Sequence, residues 1–310
     1  MTNTPGKPRQ PKGLMGLMGL MGLMGPMGPM GLIGPMGLIG PMGLMGLMGL
    51  MGPMGLISPR RLIVLITFAV LFAGCGQQQP KTYTIDVLNR MTPIKDQGSS
   101  QTCWIYAMLA AIETEHIMRG DSVNLSAAYV EKMLEQEPQA PESKRGMGVT
   151  CINLIQKYGL VAFDAMRTTD TPPPRYAFML GSQYTPQEFA RSVCAPDEYI
   201  VLTSDTGQPY YKWIPLDVPD NWEHNRFYNV PMDTLINKMT AAVRHGRGVC
   251  WESRAHAMAV VGLAHDSLNN HYFVMKNSWG NDRLHHGLKY VSLRKARRET
   301  LAVCLPRDAL

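Results

Sequence analysis

Glycine stands at every third position from Gly13 to Gly55, followed by Leu or Pro, with Met most often third. A strict Gly-X-Y period admits one regular structure, the triple helix, because only glycine fits where three polyproline-like strands meet at the axis. The other positions oppose that structure. Most X residues are Leu rather than Pro, and no charge lies between Lys12 and Arg60, so the repeat has little polyproline preference and poor solubility. Its methionines also offer later starts, with Met51 or Met54 opening a compact leader. Residues 1–57 therefore read as a low-complexity repeat: a disordered tail, a collagen-like stalk, or sequence upstream of the true start.

Residues 58–75 form a leader of another kind. Arg60-Arg61 make a positive n-region and Leu62 to Phe72 an apolar h-region, with small residues Ala73-Gly74 before Cys75. The apolar run is shorter than the roughly 20 residues that a helical membrane span needs. Phe72-Ala73-Gly74-Cys75 resembles a bacterial lipoprotein signal, with Phe72 where Leu is usual. That resemblance implies a signal over 58–75, lipidation of Cys75, and a lipid-anchored protein at the bacterial cell envelope, facing periplasm or exterior. An ordinary secretory signal is the alternative. Residues 76–90, opening with the polar Gly76-Gln77-Gln78-Gln79-Pro80, are the expected tether.

Charge excludes one class of partner. The net charge of +6 includes five basic residues and no acidic ones within residues 1–75, so 25 Lys+Arg face 24 Asp+Glu in the remainder. The basic balance belongs to the leader, and nucleic acid is not an expected partner. About 235 residues remain, enough for one sizeable domain or two closely packed lobes.

Chemistry enters with Cys103. The thiolate is the reactive form of cysteine, and a helix N-terminus facing an imidazolium stabilises it. Gly98 to Thr102 reads as a loop and Cys103 to Met118 as a helix, with Ile105, Met108, Leu109, Ile112 and His116 at i, i+3, i+4 spacing. Cys103 is thus the candidate nucleophile at the helix start. His256 is the candidate base, passing its proton to the leaving amine. Asn277, through its side-chain carbonyl, would hold the imidazole in the working tautomer. Gln97, with the Cys103 N–H, would form the oxyanion hole.

Three segments carry a resemblance to the papain-like cysteine peptidases, with a leaning to the bleomycin hydrolase/aminopeptidase branch. They are Pro93 to Gly98 leading to Cys103-Trp104; His256-Ala257-Met258 running to Leu263; and Lys276-Asn277-Ser278-Trp279-Gly280. The leaning rests on His256-Ala-Met and the stretch from Asn229 to Gly246. The resemblance spans about residues 86–310 and implies an α+β, papain-like two-lobe fold: a helical lobe, a β-rich lobe and an active-site cleft between them. It implies a peptidase domain over 91–310 and a role for Trp279 in shielding the His–Asn hydrogen bond. His256 and Asn277 lie 153 and 174 residues after Cys103, somewhat beyond the roughly 130–150 of the family pattern but in its order.

The departures bear on the cleft. Ser100 replaces a disulfide cysteine, Gln101 replaces a glycine and narrows the cleft, and Asn281 to His286 replaces a second Trp-Gly. The short step from Trp251 to His256 implies a trimmed loop. Strands are expected over Ala257–Leu263, Tyr272–Lys276 and Leu288–Leu293. Helices are expected within Cys103–Glu135 and over Cys151–Tyr158. Residues 164–229 are long for an ordered connection, with a short helix over Thr185–Arg191, and part of this insertion is expected to edge the cleft. The C-terminal 305–310 is a candidate for blocking one end of it.

Cys151, Cys194, Cys250 and Cys304 permit three pairings, or four buried thiols. No close pair has zinc spacing, and neither a metal nor a cofactor is expected. The interval 76–90 is too short for an inhibitory pro-domain. The leading function is an envelope-anchored cysteine peptidase acting on peptide or protein substrates through a Cys-His thioester. A catalytically silent papain-fold binding or adhesion lipoprotein is the alternative.

Overall fold

The computed structural model describes residues 82–179, 181–281 and 284–310. The Gly-X-Y repeat, the signal with Cys75 and the tether up to residue 81 lie outside the described residues.

Alternation in one strand sets the architecture. In β11 (Thr300–Pro306), Ala302 and Cys304 belong to one buried cluster and Val303 and Leu305 to another. A strand buried on both faces lies inside a sheet covered on both sides. Its neighbours are β7 (Val249–Ser253) and β4 (Tyr199–Thr203), both antiparallel to it. Beyond β7 come β8 (Ala257–Asp266), β9 (His271–Lys276) and β10 (Leu288–Ser292). Beyond β4 come β6 (Arg226–Asn229) and β5 (Lys212–Pro215), while β2 (Ala177–Met179) and β3 (Ser182–Tyr184) pair with each other apart from this sheet. Strand β1 (Tyr83–Leu88) pairs with the far half of β8, next to where β7 stops.

Helices cover the two faces. On one lie α1 (Cys103–Arg119), α2 (Ala127–Leu134), α3 (Gly148–Tyr158) and α4 (Pro186–Val193), packed with Cys250, Ala302 and Cys304. On the other, α5 (Met232–Arg244) brings Leu235, Ile236, Met239 and Val243 against Trp251, Val260 and Val303, with Ala296 of α6 (Leu293–Glu299). The α+β expectation holds, with a helical layer and a large mixed sheet.

Helix α1 is the hub. Its apolar residues predict one buried stripe, yet every residue from Trp104 to His116 except Tyr106 is buried. A helix apolar all round is a core helix, and its polar residues must then find partners. His116 does so through Asp121 and the Val193 carbonyl, each at 2.9 Å. Glu115 accepts Arg119 and the Gly248 N–H. The helix ends at Gly120, whose φ of 102° suits a residue without Cβ.

Two expectations on chain organisation are corrected, and the C-terminal end is placed. The tether does not extend to residue 90: Tyr83–Leu88 is a strand, Tyr83 stacks on Tyr290 at 4.0 Å, and the Asn89 side chain donates to the Val243 carbonyl. The unpaired edge of β8 beyond β7 supplies the reason, since bare strand edges are satisfied by pairing. Residues 164–229 are likewise no unstructured insertion. They include β4, buried at all five positions inside the sheet. Its short YIVLT run is masked in the sequence by the Pro- and Gly-rich segments around it. Of the C-terminal residues 305–310, Leu305 and Pro306 end β11 and Arg307–Ala309 form a single helical turn.

The hairpin β8–β9 is closed by a carboxylate. Asp266 accepts the Leu268 and Asn270 N–H groups, the Asn270 amide and the Tyr272 hydroxyl. These donors hold its carboxyl down at about 2, against burial that opposes them. A depressed folded-state value contributes stability above the unfolded carboxylate range and loses it as pH falls from about 4 through 2. Comparing thermal unfolding between pH 5 and 2, the wild type should lose more stability than Asp266→Asn. Parallel curves would exclude the clamp.

Candidate active site

Cys103 is the first residue of α1, half-buried, with its helix rising away from it. The Thr102 side chain does not cap the helix but hydrogen-bonds Glu131, while the Thr102 carbonyl takes the Ile105 N–H at 2.9 Å. Cys103 N–H takes no acceptor among the described residues.

His256 stands immediately before β8, in a tight turn where Ser253 N–H donates to the His256 carbonyl and Ser253 Oγ accepts the His256 N–H. Asn277 stands immediately after β9. The register Ala259↔Lys276 brings these two ends together at the open end of the hairpin, and His256 Nε2 lies 2.7 Å from Asn277 Oδ1. The same Oδ1 accepts the Ser278 N–H at 3.0 Å. It is therefore the acceptor, Nε2 carries the proton, and Nδ1 is left for another partner. Trp279 tilts 32° to the imidazole at 4.8 Å, and Lys289 Nζ lies 4.6 Å from the indole centroid.

Gln97 joins the site through the loop just past Asn277. Its backbone N–H donates to the Ser278 carbonyl, its Oε1 accepts the Ser278 hydroxyl, and its Nε2 donates to the Ser100 carbonyl at 2.6 Å. Gly280 N–H closes the same ladder on the Lys95 carbonyl. One Nε2 hydrogen stays uncommitted. Ser278, which fixes the Gln97 amide, is a functional contact that the sequence reading passed over.

Cys103, His256 and Gln101 line one pocket with Trp104, Met147 and Ala257. Its wall from 144 to 146 is held by two indoles: Trp104 donates to the Lys144 carbonyl and Trp222 to that of Arg145. The insertion also contributes Asp220, bidentate with Arg145 at 2.8 and 2.6 Å. Arg145, Asp220 and Glu252 were missed as cleft residues. The only local signal was a charge, Glu252, inside an otherwise apolar strand.

Burial, with the Glu252 carboxyl adding to it, pushes the Cys103 thiol up, outweighing the Ala257 and Trp104 N–H groups and Arg145. It pulls His256 down, against the Asn277 hydrogen bond and helped by Lys289. Each group alone is thus favoured neutral. Proton transfer from thiol to Nδ1 creates two opposite charges whose attraction in a poorly hydrated cleft offsets both penalties. The arrangement can generate a sulfur nucleophile and return its proton.

Cys151, Cys194, Cys250 and Cys304 are free, buried thiols. Burial pushes Cys194 up to about 12 and the other three well above the ordinary thiol value, so none competes with Cys103 as a nucleophile. Among the described residues, no group of His, Cys, Asp and Glu is arranged to hold a metal ion.

Residues 80–304 match the profile described as "Papain family cysteine protease". A viral cathepsin of Spodoptera exigua nuclear polyhedrosis virus is 23% identical over 225 residues, covering 71% of this chain and 58% of that one. The thiol protease SEN102 of Hemerocallis is 23% identical over 194 residues, covering 62% and 48%. The chain spans about half the length of the curated relatives it matches. Among solved structures, pepW of a Lactobacillus superposes with a TM-score of 0.59 at 14% identity, covering 82% of this chain and 90% of that one, a likeness of fold.

Proposed function

The chain belongs to the papain family of cysteine proteases, and on that premise we propose that it is a cysteine peptidase, lipid-anchored at a bacterial envelope through Cys75. The observation that carries the peptidase reading is the 2.7 Å contact of His256 Nε2 with Asn277 Oδ1, which reserves Nδ1 for a thiol at a helix N-terminus.

The reaction derives from these groups. Cys103 Sγ attacks the scissile carbonyl carbon while His256 Nδ1 takes the thiol proton. The carbonyl oxygen becomes an oxyanion, received by the Cys103 N–H and the uncommitted Gln97 Nε2–H. Collapse breaks the C–N bond, the amine leaves with the proton from His256, and the acyl group stays on sulfur as a thioester. Water, deprotonated by Nδ1, then attacks the thioester, releasing the acid and restoring the thiol. Asn277 holds the ring through both halves, and Trp279 shields the His–Asn hydrogen bond from water.

Incubating the chain with a mixed peptide library and searching for an acyl adduct on Cys103 by mass spectrometry tests the reading. A thioester at Cys103 together with cleaved products supports it. A folded protein that neither cleaves nor reacts with alkylating reagent faster than an ordinary thiol would instead be the silent binding protein. Gln97→Ala removes one oxyanion donor and should lower kcat/KM by roughly 10²–10³-fold. A loss under fivefold would exclude Gln97 from the hole.

The anchor rests on Arg60-Arg61, the apolar run and Phe72-Ala73-Gly74-Cys75. Metabolic labelling with a fatty acid should mark the wild type and not Cys75→Ser. The bleomycin hydrolase leaning rests on His256-Ala257-Met258 and the stretch from Asn229 to Gly246, and predicts trimming of peptide ends, which the cut positions in the library would reveal.

A further inference from the structure

The reaction leaves Glu252 unused. It stands in β7 among buried apolar residues and is itself 3% exposed. Its Oε1 accepts the Gly148 N–H at the start of α3. Its Oε2 is buried and has no partner among the described residues. Capping a helix needs one acceptor, which a neutral side chain supplies; a carboxylate with a second, empty acceptor position is more than that task requires. Buried polar atoms are ordinarily paired, so Oε2 is a place for a donor.

Glu252 lines the pocket that also holds Cys103 and His256. The other charges of that pocket cancel, because Asp220 and Arg145 pair bidentately with each other. Glu252 therefore remains as the unpaired acid of the pocket, in walls made by Trp104, Met147 and Ala257; burial pushes its carboxyl up to about 7, and a cation beside it would favour the ionised form. The inner space is small. About 20 Å³ is open to the centre of a water-sized group, about what one or two waters need. An ammonium head, close to a water in size, can take one such position.

We infer that Glu252 is a specificity residue whose free carboxylate oxygen receives a protonated primary amine of the substrate beside Cys103. The inference rests on the peptidase reading for its consequence. The amine has two possible sources, a lysine side chain near the cleaved bond or the free α-amino group of the peptide.

The test uses the full chain and its Glu252→Gln variant, which keeps an acceptor for Gly148. Matched peptides carry Lys, Arg or norleucine at each position flanking the cleaved bond, each with a free or an acetylated N-terminus. The wild type should favour an amine-bearing peptide over its neutral counterpart by about 10- to 100-fold in kcat/KM, the worth of one charge-assisted hydrogen bond. Glu252→Gln should shrink that ratio to within about twofold. A preference for Lys that survives acetylation assigns the side chain; a preference lost on acetylation assigns the α-amine. Protection of Cys103 from iodoacetamide by the same peptides reads binding when nothing is cleaved, so loss of the peptidase reading is seen separately. Equal cleavage and equal protection by amine-bearing and neutral peptides in the wild type overturns the inference, whether or not the variant folds. So does an amine preference unchanged in Glu252→Gln.

Discussion

Replacing Cys103 by alanine should lower peptide hydrolysis by roughly 10⁴-fold or more, with His256→Ala costing a similar factor. The two groups act on one proton. Without the thiol no thioester forms, and without the imidazole the thiol keeps its proton, because burial already pushes its pKa up. The double variant should be little worse than either single one, since removing one member of a coupled unit removes the work of the other. Both sites sit at element ends, Cys103 opening α1 and His256 preceding β8, and both side chains are only half-buried. Unfolding midpoints should therefore stay near the wild-type value. Alkylation supplies the second readout: in the wild type Cys103 should react far faster than the four buried thiols, and His256→Ala should slow it. Activity retained in Cys103→Ala would end the peptidase reading.

Glu113→Ala should destabilise the domain by about 3–5 kcal/mol, because it strands buried charge. Glu113 is 0% exposed in α1 and holds three segments. It accepts the Leu125 N–H at 2.7 Å, the Thr92 hydroxyl and the Lys95 ammonium, while Lys276 Nζ lies 3.7 Å away and donates to Thr92 at 2.6 Å. Burial already lowers Lys276 to about 8, with Glu113 holding it up. Without the carboxylate, Lys276 would fall further and lose its proton on folding. A lysine depressed in the folded state is penalised at every pH below its folded value, and the penalty fades as pH rises towards its unfolded value near 10.5. The deficit of Glu113→Ala, measured by denaturant unfolding, should accordingly be larger at pH 6 than at pH 9. Activity should suffer too, since Lys95 leads into the Gln97 loop and Lys276 directly precedes Asn277. A loss under 1 kcal/mol, or one independent of pH, would show that the network is dispensable.

The elements that carry the site were legible because each is specified locally. The 3.6-residue spacing from Ile105 to His116 announced α1 and put Cys103 at its start. Apolar runs announced β8 and β9, and two strands so close in sequence pair as a hairpin, which brings His256 to Asn277. The tether boundary was not legible, because Tyr83–Leu88 has no strong pattern of its own and becomes a strand only against the edge of β8. β4 was hidden for a related reason: five buried residues inside a long polar stretch are distinguishable only once β11 and β6 flank them.

The sequence by itself determined the residue types that can perform the chemistry, their order, and the helix and hairpin that present them, because hydrogen-bonding periods and hairpin closure act over short stretches of chain. Only the tertiary structure decided what surrounds them. Ser278 fixes the amide of Gln97 across 181 positions, Asp220 neutralises Arg145 across 75, and Glu252 reaches the start of α3 across 104. Lys289 comes to rest over Trp279 through the β9–β10 pairing. No local pattern encodes these neighbours. Electrostatic environment depends on distance in space, and that distance is set only when the sheet assembles and the helices close over it.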